Sequence, residues 1–322
     1  MLELDLNDWK TLNQLDMDSK QSDAEIGKKT RISKQVVNYR IKKLIEKGII
    51  TGFYPHINLA KLGYGAHKIY LRFKSLSGAQ EKEIWGYLEK QPNIVWVISC
   101  SGRWDLIFAI VSKNIEEFNQ ILTGFMNKYS KNIAERSITV FNKATLHHRK
   151  WLIPSKQQDI YWLLGGNIEE LKIDDKDKKV LQILDKNART PIIEIAEKVN
   201  ISSSLVIQRI KNLKKKEILG AFRLGLNREK LGITYCKAFV YYQNKTTEAE
   251  NQLLQYCYSL STILGVSQSI GPWDLELEFE VKNYDKFHNI MKDMKNKFPI
   301  IANFETVYIE KESGASFLPE NL

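Results

Sequence analysis

Residues 4–63 read LDLNDWKTLNQLDMDSKQSDAEIGKKTRISKQVVNYRIKKLIEKGIITGFYPHINLAKLG, and residues 173–232 read IDDKDKKVLQILDKNARTPIIEIAEKVNISSSLVIQRIKNLKKKEILGAFRLGLNREKLG. Asp174 stands 169 residues after Asp5, and Gly232 the same distance after Gly63 with no gap between. Of those 59 aligned positions 23 are identical, so the two stretches are copies of one unit. The register continues downstream: Gly102-Arg-Trp-Asp105 aligns with Gly271-Pro-Trp-Asp274, and Phe118 with Phe287. A segment at about 143–172, containing Pro154 and Gly165-Gly166, has no counterpart in the repeat and reads as the connection.

Each copy opens with three short helical patterns. Asp5 suits an N-cap, and Trp9, Leu12 and Leu15 recur on one helical face. Ser22-x-x-Glu25 predicts a capping box at the start of a second helix, and in the second copy Thr190 followed by Pro191 predicts the same start. Ser33 and Ser202 cap a third helix with apolar stripes Val37, Ile41, Leu44 and Val206, Ile210, Leu213. A brief turn leading into a basic third helix is the arrangement of a helix-turn-helix that reads DNA. The competing reading is a three-helix bundle that binds nothing.

Beyond each helical unit the period changes. Lys68–Lys74 alternates polar and apolar residues, as a half-buried strand does. A helix (Ile84, Tyr87, Leu88), strands at Ile94–Ser99 and Leu106–Val111, a helix (Ile115, Phe118, Ile121, Leu122) and a strand at Ile138–Phe141 follow. Copy two repeats the order, with outer strands at about 235–243 and 304–310. Strand-helix-strand-strand-helix-strand is the ferredoxin-like unit. The expectation is therefore an α+β chain: helix-turn-helix 1–62, ferredoxin-like domain 63–145, linker 146–172, helix-turn-helix 173–231 and ferredoxin-like domain 232–322.

Composition narrows the class without deciding it. A net charge of +10 suits a polyanionic partner, and the helical units carry it, at +3 for residues 1–65 and +6 for 173–232. Three dispersed cysteines, Cys100, Cys236 and Cys257, fit a reducing compartment rather than a disulfide or zinc framework. The N-terminus is acidic, unlike a signal peptide, and no apolar run nears the roughly 20 residues that span a bilayer. The expectation is a cytoplasmic protein with no membrane partner, no metal and no cofactor.

These residues resemble the leucine-responsive/asparagine-operon (Lrp/AsnC) regulators. The matching pattern is Asp5-x-x-Asp8, Glu25-Ile26, Ser33, Val37, Arg40-Ile41, Leu44, Gly48-Ile49-Ile50 and Gly102-x-x-Asp105. Copy two matches through Asp174, Asp177, Glu194-Ile195, Ser202, Val206, Arg209-Ile210, Leu213, Ile218 and Gly271-x-x-Asp274. The resemblance implies a winged helix-turn-helix and a ligand-sensing domain in each copy. It also implies sheet-to-sheet pairing, here within one chain as a covalent pseudo-dimer, which could associate further. The effector, such as an amino acid, would sit at the loops of Gly102, Arg103, Asp105, Gly271 and Asp274. Two departures are visible. Glu217 replaces the helix-ending Gly48, and Arg103 and Pro272 stand where the family's loop carries an acidic residue.

On a helical wheel the face opposite Val37, Ile41 and Leu44 carries Gln35, Asn38, Tyr39 and Lys42, flanked by Lys34 and Lys43. In copy two it carries Ser204, Ile207, Gln208 and Lys211, flanked by Ser203 and Asn212. Amide side chains can bond adenine edges and lysines neutralise phosphates of double-stranded DNA. Arg40 and Arg209, at the edge of the stripe, are expected to hold phosphate rather than a structural ion pair.

The alternatives are an architectural DNA-coating protein and an enzyme, since sirohaem decarboxylases share this organisation. Those enzymes rely on stretches rich in histidine and arginine, and only five histidines occur here. One further pattern stands out. In Asp274–Val281 the residues Glu276, Glu278 and Glu280 alternate with Leu275, Leu277, Phe279 and Val281, whereas copy one has Ile107, Ala109 and Val111 at the glutamate positions. The apolar face shared by both copies should lie under helices. The glutamate face should meet copy one, where Lys68 and Arg72 are available, or else be solvated.

Overall fold

The structure, a computed structural model, describes residues 4–153, 160–313 and 318–319. The first helix-turn-helix comprises α1 (Leu6–Met17), α2 (Asp23–Thr30) and α3 (Lys34–Glu46). Asp5 caps α1 with a capping box closed by Asp8, and Ser22 with Glu25 closes the expected box on α2. Leu12, Leu15, Ile26, Val37, Ile41 and Leu44 are buried together. Strand β1 (Ile50–Ile57) follows, then β2 (Gly65–Phe73), α4 (Gly78–Leu88), β3 (Ile94–Gly102), β4 (Leu106–Ser112), α5 (Ile115–Tyr129) and β5 (Ile133–His147).

Copy two repeats the order. It consists of α6 (Asp175–Lys186), α7 (Ile192–Val199), α8 (Ser203–Lys215), β7 (Leu219–Leu226), β8 (Thr234–Tyr242), α9 (Thr247–Ser259), β9 (Ile263–Ile270), β10 (Leu275–Val281), α10 (Tyr284–Lys297) and β11 (Ile301–Glu312). The start of α7 differs from expectation. Pro191 is the capping residue, and the Thr190 hydroxyl donates to the Asn187 carbonyl instead of accepting from helix amides.

The connection is more structured than a linker. Its β6 (Tyr161–Gly165) pairs antiparallel with residues 143–147 of β5. Gly165 and Gly166 both have φ near +80 to +90°, the left-handed turn by which the chain leaves that strand. Pro154 lies outside the described residues.

Within each copy the strands take the ferredoxin-like order, β5-β2-β4-β3 and β11-β8-β10-β9. The two sheets then join at both edges. Strand β3 pairs with β11 and β5 with β9, so the eight strands close into a ring to which both copies contribute four. Closure removes the exposed edges that a four-stranded sheet would leave.

The outer face of each sheet is covered by its own helices. Leu106, Phe108 and Ile110 pack with Ile84, Leu88, Phe118 and Leu122, and Leu275, Leu277 and Phe279 pack with Leu253, Phe287 and Met291. The inner face holds a separate cluster of Tyr70, Ile98, Trp104, Ile107, Phe239, Trp273 and Val307, drawn from both copies.

The glutamates of β10 point into this interior. Glu276 binds Lys68 at 2.9 Å and Lys237 at 3.1 Å, and Glu280 binds Arg149 at 2.9 Å and Arg228 at 2.6 Å. The glutamate face therefore meets copy one through Lys68, as expected, and is not solvated. Arg72 takes no part, because it sits exposed at the outer end of β2.

Candidate nucleic-acid interface

Helices α3 and α8 are built alike. Ser33 and Ser202 accept from the amides of Val36 and Leu205, three residues into each helix. The stripes Val37, Ile41, Leu44 and Val206, Ile210, Leu213 are buried, so the opposite faces are forced outward. Lys34, Gln35, Asn38, Tyr39, Lys42 and Lys43 are exposed on α3, as are Ser204, Ile207, Gln208 and Lys211 on α8; Ser203 is half-buried. Exposed Ile207 and Tyr39 have no core to serve, and the Lys43 ammonium lies over the Tyr39 ring at 5.8 Å.

Arg40 and Arg209 depart from the expectation of phosphate contact. Arg40 Nη1 lies 2.7 Å from Asp5 and 2.6 Å from Asp8, and Arg209 Nη1 lies 2.8 Å from Asp174 and 2.7 Å from Asp177. Hydrogen bonds to Asp174 and then Asp177 raise the Arg209 pKa further. Each arginine staples its third helix to the capped start of its first. The identical positions in both copies reflect a structural bond that the geometry requires twice.

Asn38 is not a free amide. Its Nδ2 donates to Asp23 at 2.8 Å, so the amide's donor side is engaged within the protein. Asp23 is held in turn by Arg189 of the second helix-turn-helix at 2.7 Å. Arg189 also donates to the carbonyls of Ser19 and Gln21, while Lys20, its counterpart in the repeat, donates to the carbonyl of Thr190. The backbone reciprocates: Ser19 N donates to Phe222 O and Ala188 N to Phe53 O. Asn58 N donates to Ile218 O and Asn227 N to Ile49 O.

The four backbone bonds and the bonds of Lys20 to Thr190 and Arg189 to Gln21 map onto one another by the repeat offset, so the two helical units are related by a pseudo-twofold, which the Arg189–Asp23 pair breaks. Strands β1 and β7 complete the joint as an antiparallel pair, with Tyr54 opposite Arg223. The strand that follows each third helix thus pairs across copies instead of folding back into a wing hairpin of its own. Burial, and then repulsion from Arg189, pulls the Lys20 pKa down to about 8.

Sequence reading missed Asp23, Lys20 and Arg189. The one available signal was that Lys20 and Arg189 occupy the same position of the repeat, outside both the apolar stripe and the third helix.

The two loops named from the resemblance are braced internally. Asp105 accepts from the Phe73 amide at 2.7 Å and Asp274 from the Tyr242 amide at 2.8 Å, again equivalent positions. Arg103 is paired with Glu135 and with Glu305 at 3.1 Å. Gly102 has φ +121° and lies against Thr306, where a Cβ would come within 2.6 Å of the Thr306 carbonyl; Gly271 lies against Thr139. Among the described residues no group of three or more His, Cys, Asp or Glu side chains could hold a metal ion. No described helix is long and apolar enough to cross a membrane.

The winged helix-turn-helix DNA-binding family matches this chain twice, at residues 4–51 and 173–219. An uncharacterized HTH-type transcriptional regulator of Pyrococcus abyssi is 32% identical over 120 residues, spanning 37% of this chain and 80% of that protein. The HTH-type transcriptional regulator LrpA of Pyrococcus horikoshii is 47% identical over 60 residues, 19% of this chain and 43% of the relative. Among solved structures, the siroheme decarboxylase NirDL matches along 97% of this chain and 94% of its own, with a TM-score of 0.63 and 12% identity. At that identity the likeness is one of fold. With the family match at both helical units and the sequence similarity to these regulators, the chain belongs to the Lrp/AsnC family of helix-turn-helix transcriptional regulators.

Proposed function

We propose that this chain is a sequence-specific DNA-binding regulator whose two helix-turn-helix units engage one site together, as a covalent pseudo-dimer. The observation that supports this reading is the reciprocal bonding of Lys20 with Thr190 and Arg189 with Gln21, and of Ser19 with Phe222 and Ala188 with Phe53, which ties the helical unit of α3 to that of α8. Gln35, Asn38, Tyr39 and Lys42 read one half-site, and Ser204, Ile207, Gln208 and Lys211 the other. Lys34, Lys43 and Ser203 contact the flanking backbone. A regulator with two equal recognition helices reads a palindrome. Here Asn38 and Tyr39 are replaced by Ile207 and Gln208, so the half-sites differ, and Ile207 suits a thymine methyl.

The experiment is selection from random duplex DNA with the full-length chain, followed by a salt titration on the winning site. Two unlike half-sites roughly 10 bp or a multiple apart are expected. Affinity should fall about 10³–10⁵-fold between 50 and 200 mM salt if six to ten phosphates are neutralised. A flat salt response, or equal affinity for random DNA, rejects the reading. Because Asp105 and Asp274 already brace backbone amides, the proposal does not rely on amino-acid sensing at their loops.

A further inference from the structure

Inside the ring of strands, on the side closed by the β1–β7 pair, lies a cavity of about 1130 Å³. Its walls are mainly apolar, including Leu146, Leu224 and Leu264, and at its rim Val140, Ile168 and Ile270 are exposed to solvent. Exposed aliphatic side chains at the rim of a large cavity give an apolar molecule a route in.

Three guanidinium groups also line this cavity: Arg149, Arg223 and Arg228. They are unequally matched. Arg149 lies 2.5 Å from Asp16 and 2.9 Å from Glu280, and Arg228 lies 2.6 Å from Glu280 and 2.9 Å from Glu312. Arg223 has the carbonyl of His147 at 3.0 Å, and its carboxylate partner among the described residues is Asp16, at 3.6 Å and already held by Arg149. A cation buried without a close carboxylate of its own is costly unless something else supplies the charge. Burial pulls the Arg223 pKa down to about 10 against the opposing attraction of Asp16, whereas Arg228, with two close carboxylates, is raised.

The cavity also breaks the pseudo-twofold, since Arg223 occupies the position that Tyr54 fills in copy one. No copy-one guanidinium duplicates it.

We propose that this cavity binds a small organic acid with an extended apolar body, its carboxylate on Arg223 and its body along the apolar walls toward Ile270. Carboxylate and guanidinium form a paired set of charge-assisted bonds, and the apolar walls supply the remaining affinity. Arg223 and Arg149 share Asp16, the last buried acid of α1 in the first helix-turn-helix. A ligand that takes up Arg223 therefore acts on the helix that α3 packs against. The proposal does not depend on the DNA reading, and its test does not involve DNA.

The test is a fluorescence titration of the full-length chain with anilinonaphthalene sulfonate, an apolar aromatic anion, with decanoate and decan-1-ol as competitors. One dye per chain should bind, displaced by decanoate at least tenfold more effectively than by the uncharged alcohol, about the effect of one charged hydrogen-bonded contact. Arg223→Met should weaken the dye by about tenfold or more, while Arg223→Lys should stay within roughly threefold of wild type. Ala66→Phe, a half-buried wall position clear of the ion pairs, should weaken dye and decanoate alike and keeps the test decisive if Arg223→Met fails to fold. Decanol competing as well as decanoate, absence of dye binding, or unchanged binding by folded Arg223→Met or Ala66→Phe would overturn the proposal.

Discussion

The ammonium of Lys68 lies 2.9 Å from a carboxylate oxygen of Glu276, with the two residues 208 positions apart in the chain and sealed inside the ring of strands. The Tyr70 hydroxyl donates to the other oxygen of the same carboxylate, and Lys237 stands 3.1 Å away. Copy one thus supplies a cation that copy two's glutamate face needs. Two copy-two sheets facing each other would instead oppose carboxylates.

Lys68→Met should destabilise the protein by about 2–4 kcal/mol, somewhat under the cost of stranding a buried charge entirely, because Lys237 remains beside Glu276. Lys68→Met/Glu276→Gln should cost less than the sum of the two single changes. Urea midpoints of the four proteins check both statements. A Lys68→Met protein that unfolds at the wild-type midpoint would remove the pair from any role in joining the copies.

Acid should weaken the ring. Burial alone would raise the carboxyls of Glu276 and Glu280, but Lys68 and Lys237 around the first, and Arg149 and Arg228 around the second, outweigh it and hold both at about 2. These values lie below the roughly 4.3 of an unfolded glutamate, so the folded state binds fewer protons. The stabilisation is complete above the unfolded value and disappears as pH falls toward 2. Thermal midpoints measured from pH 6 to pH 2 should drop steeply, and Glu276→Gln, less stable at neutral pH, should show a shallower drop. Parallel curves for the two proteins would contradict this.

Arg40 and Lys42, two residues apart, should respond in opposite ways to replacement. Arg40→Ala breaks the staple to Asp5 and Asp8 and should lower stability by about 1 kcal/mol, a modest figure because Asp5 is largely exposed. The slope of log affinity against log salt should not change. Lys42→Ala should leave stability within about 0.5 kcal/mol and reduce that slope by about one phosphate. The reverse pattern would restore the phosphate role to Arg40.

Glu217 is forced into the left-handed region at φ 56°, where copy one has Gly48 at φ 63°. Glu217→Gly should raise stability by about 0.5–1 kcal/mol by relieving that backbone strain. Gly48→Ala should lower it by at least as much, since the strain comes with a Cβ placed 2.8 Å from the Lys230 ammonium. Chemical denaturation of both variants checks the pair of signs.

Asp23→Ala should change base preference without touching base. It frees the Asn38 amide, which Asp23 holds by its donor nitrogen, so that Asn38 can both donate and accept. Repeating the selection with this variant should alter one position of the first half-site and leave the second half-site unchanged. An identical selected sequence would show that Asn38 is not oriented through Asp23.

What the linear sequence determined was everything carried by short-range periodicity and self-comparison. The repeat from Asp5 to Gly232, the helix starts at Asp5, Ser22, Ser33 and Ser202, the stripes of α3 and α8 and the alternation of β10 follow from helix and strand geometry within a dozen residues. From these the outward face of each third helix was legible, and with it the exposed members of the candidate interface. The pairing of Glu276 with copy one was legible only as one of two readings, since Lys68 lay on the matching face but a solvated face fitted the alternation equally well.

Tertiary structure decided whatever depends on two distant segments meeting. Arg40 looked available for phosphate until Asp5 and Asp8 were brought under it by the angle between α1 and α3. The connection looked like a tether until β5 extended to His147 and offered β6 an edge. The roles of Asp23 and Arg189, and the poorly matched Arg223, emerged only when the copies closed on each other. A charge finds its partner through space, and one-dimensional spacing carries no record of which carboxylate that will be.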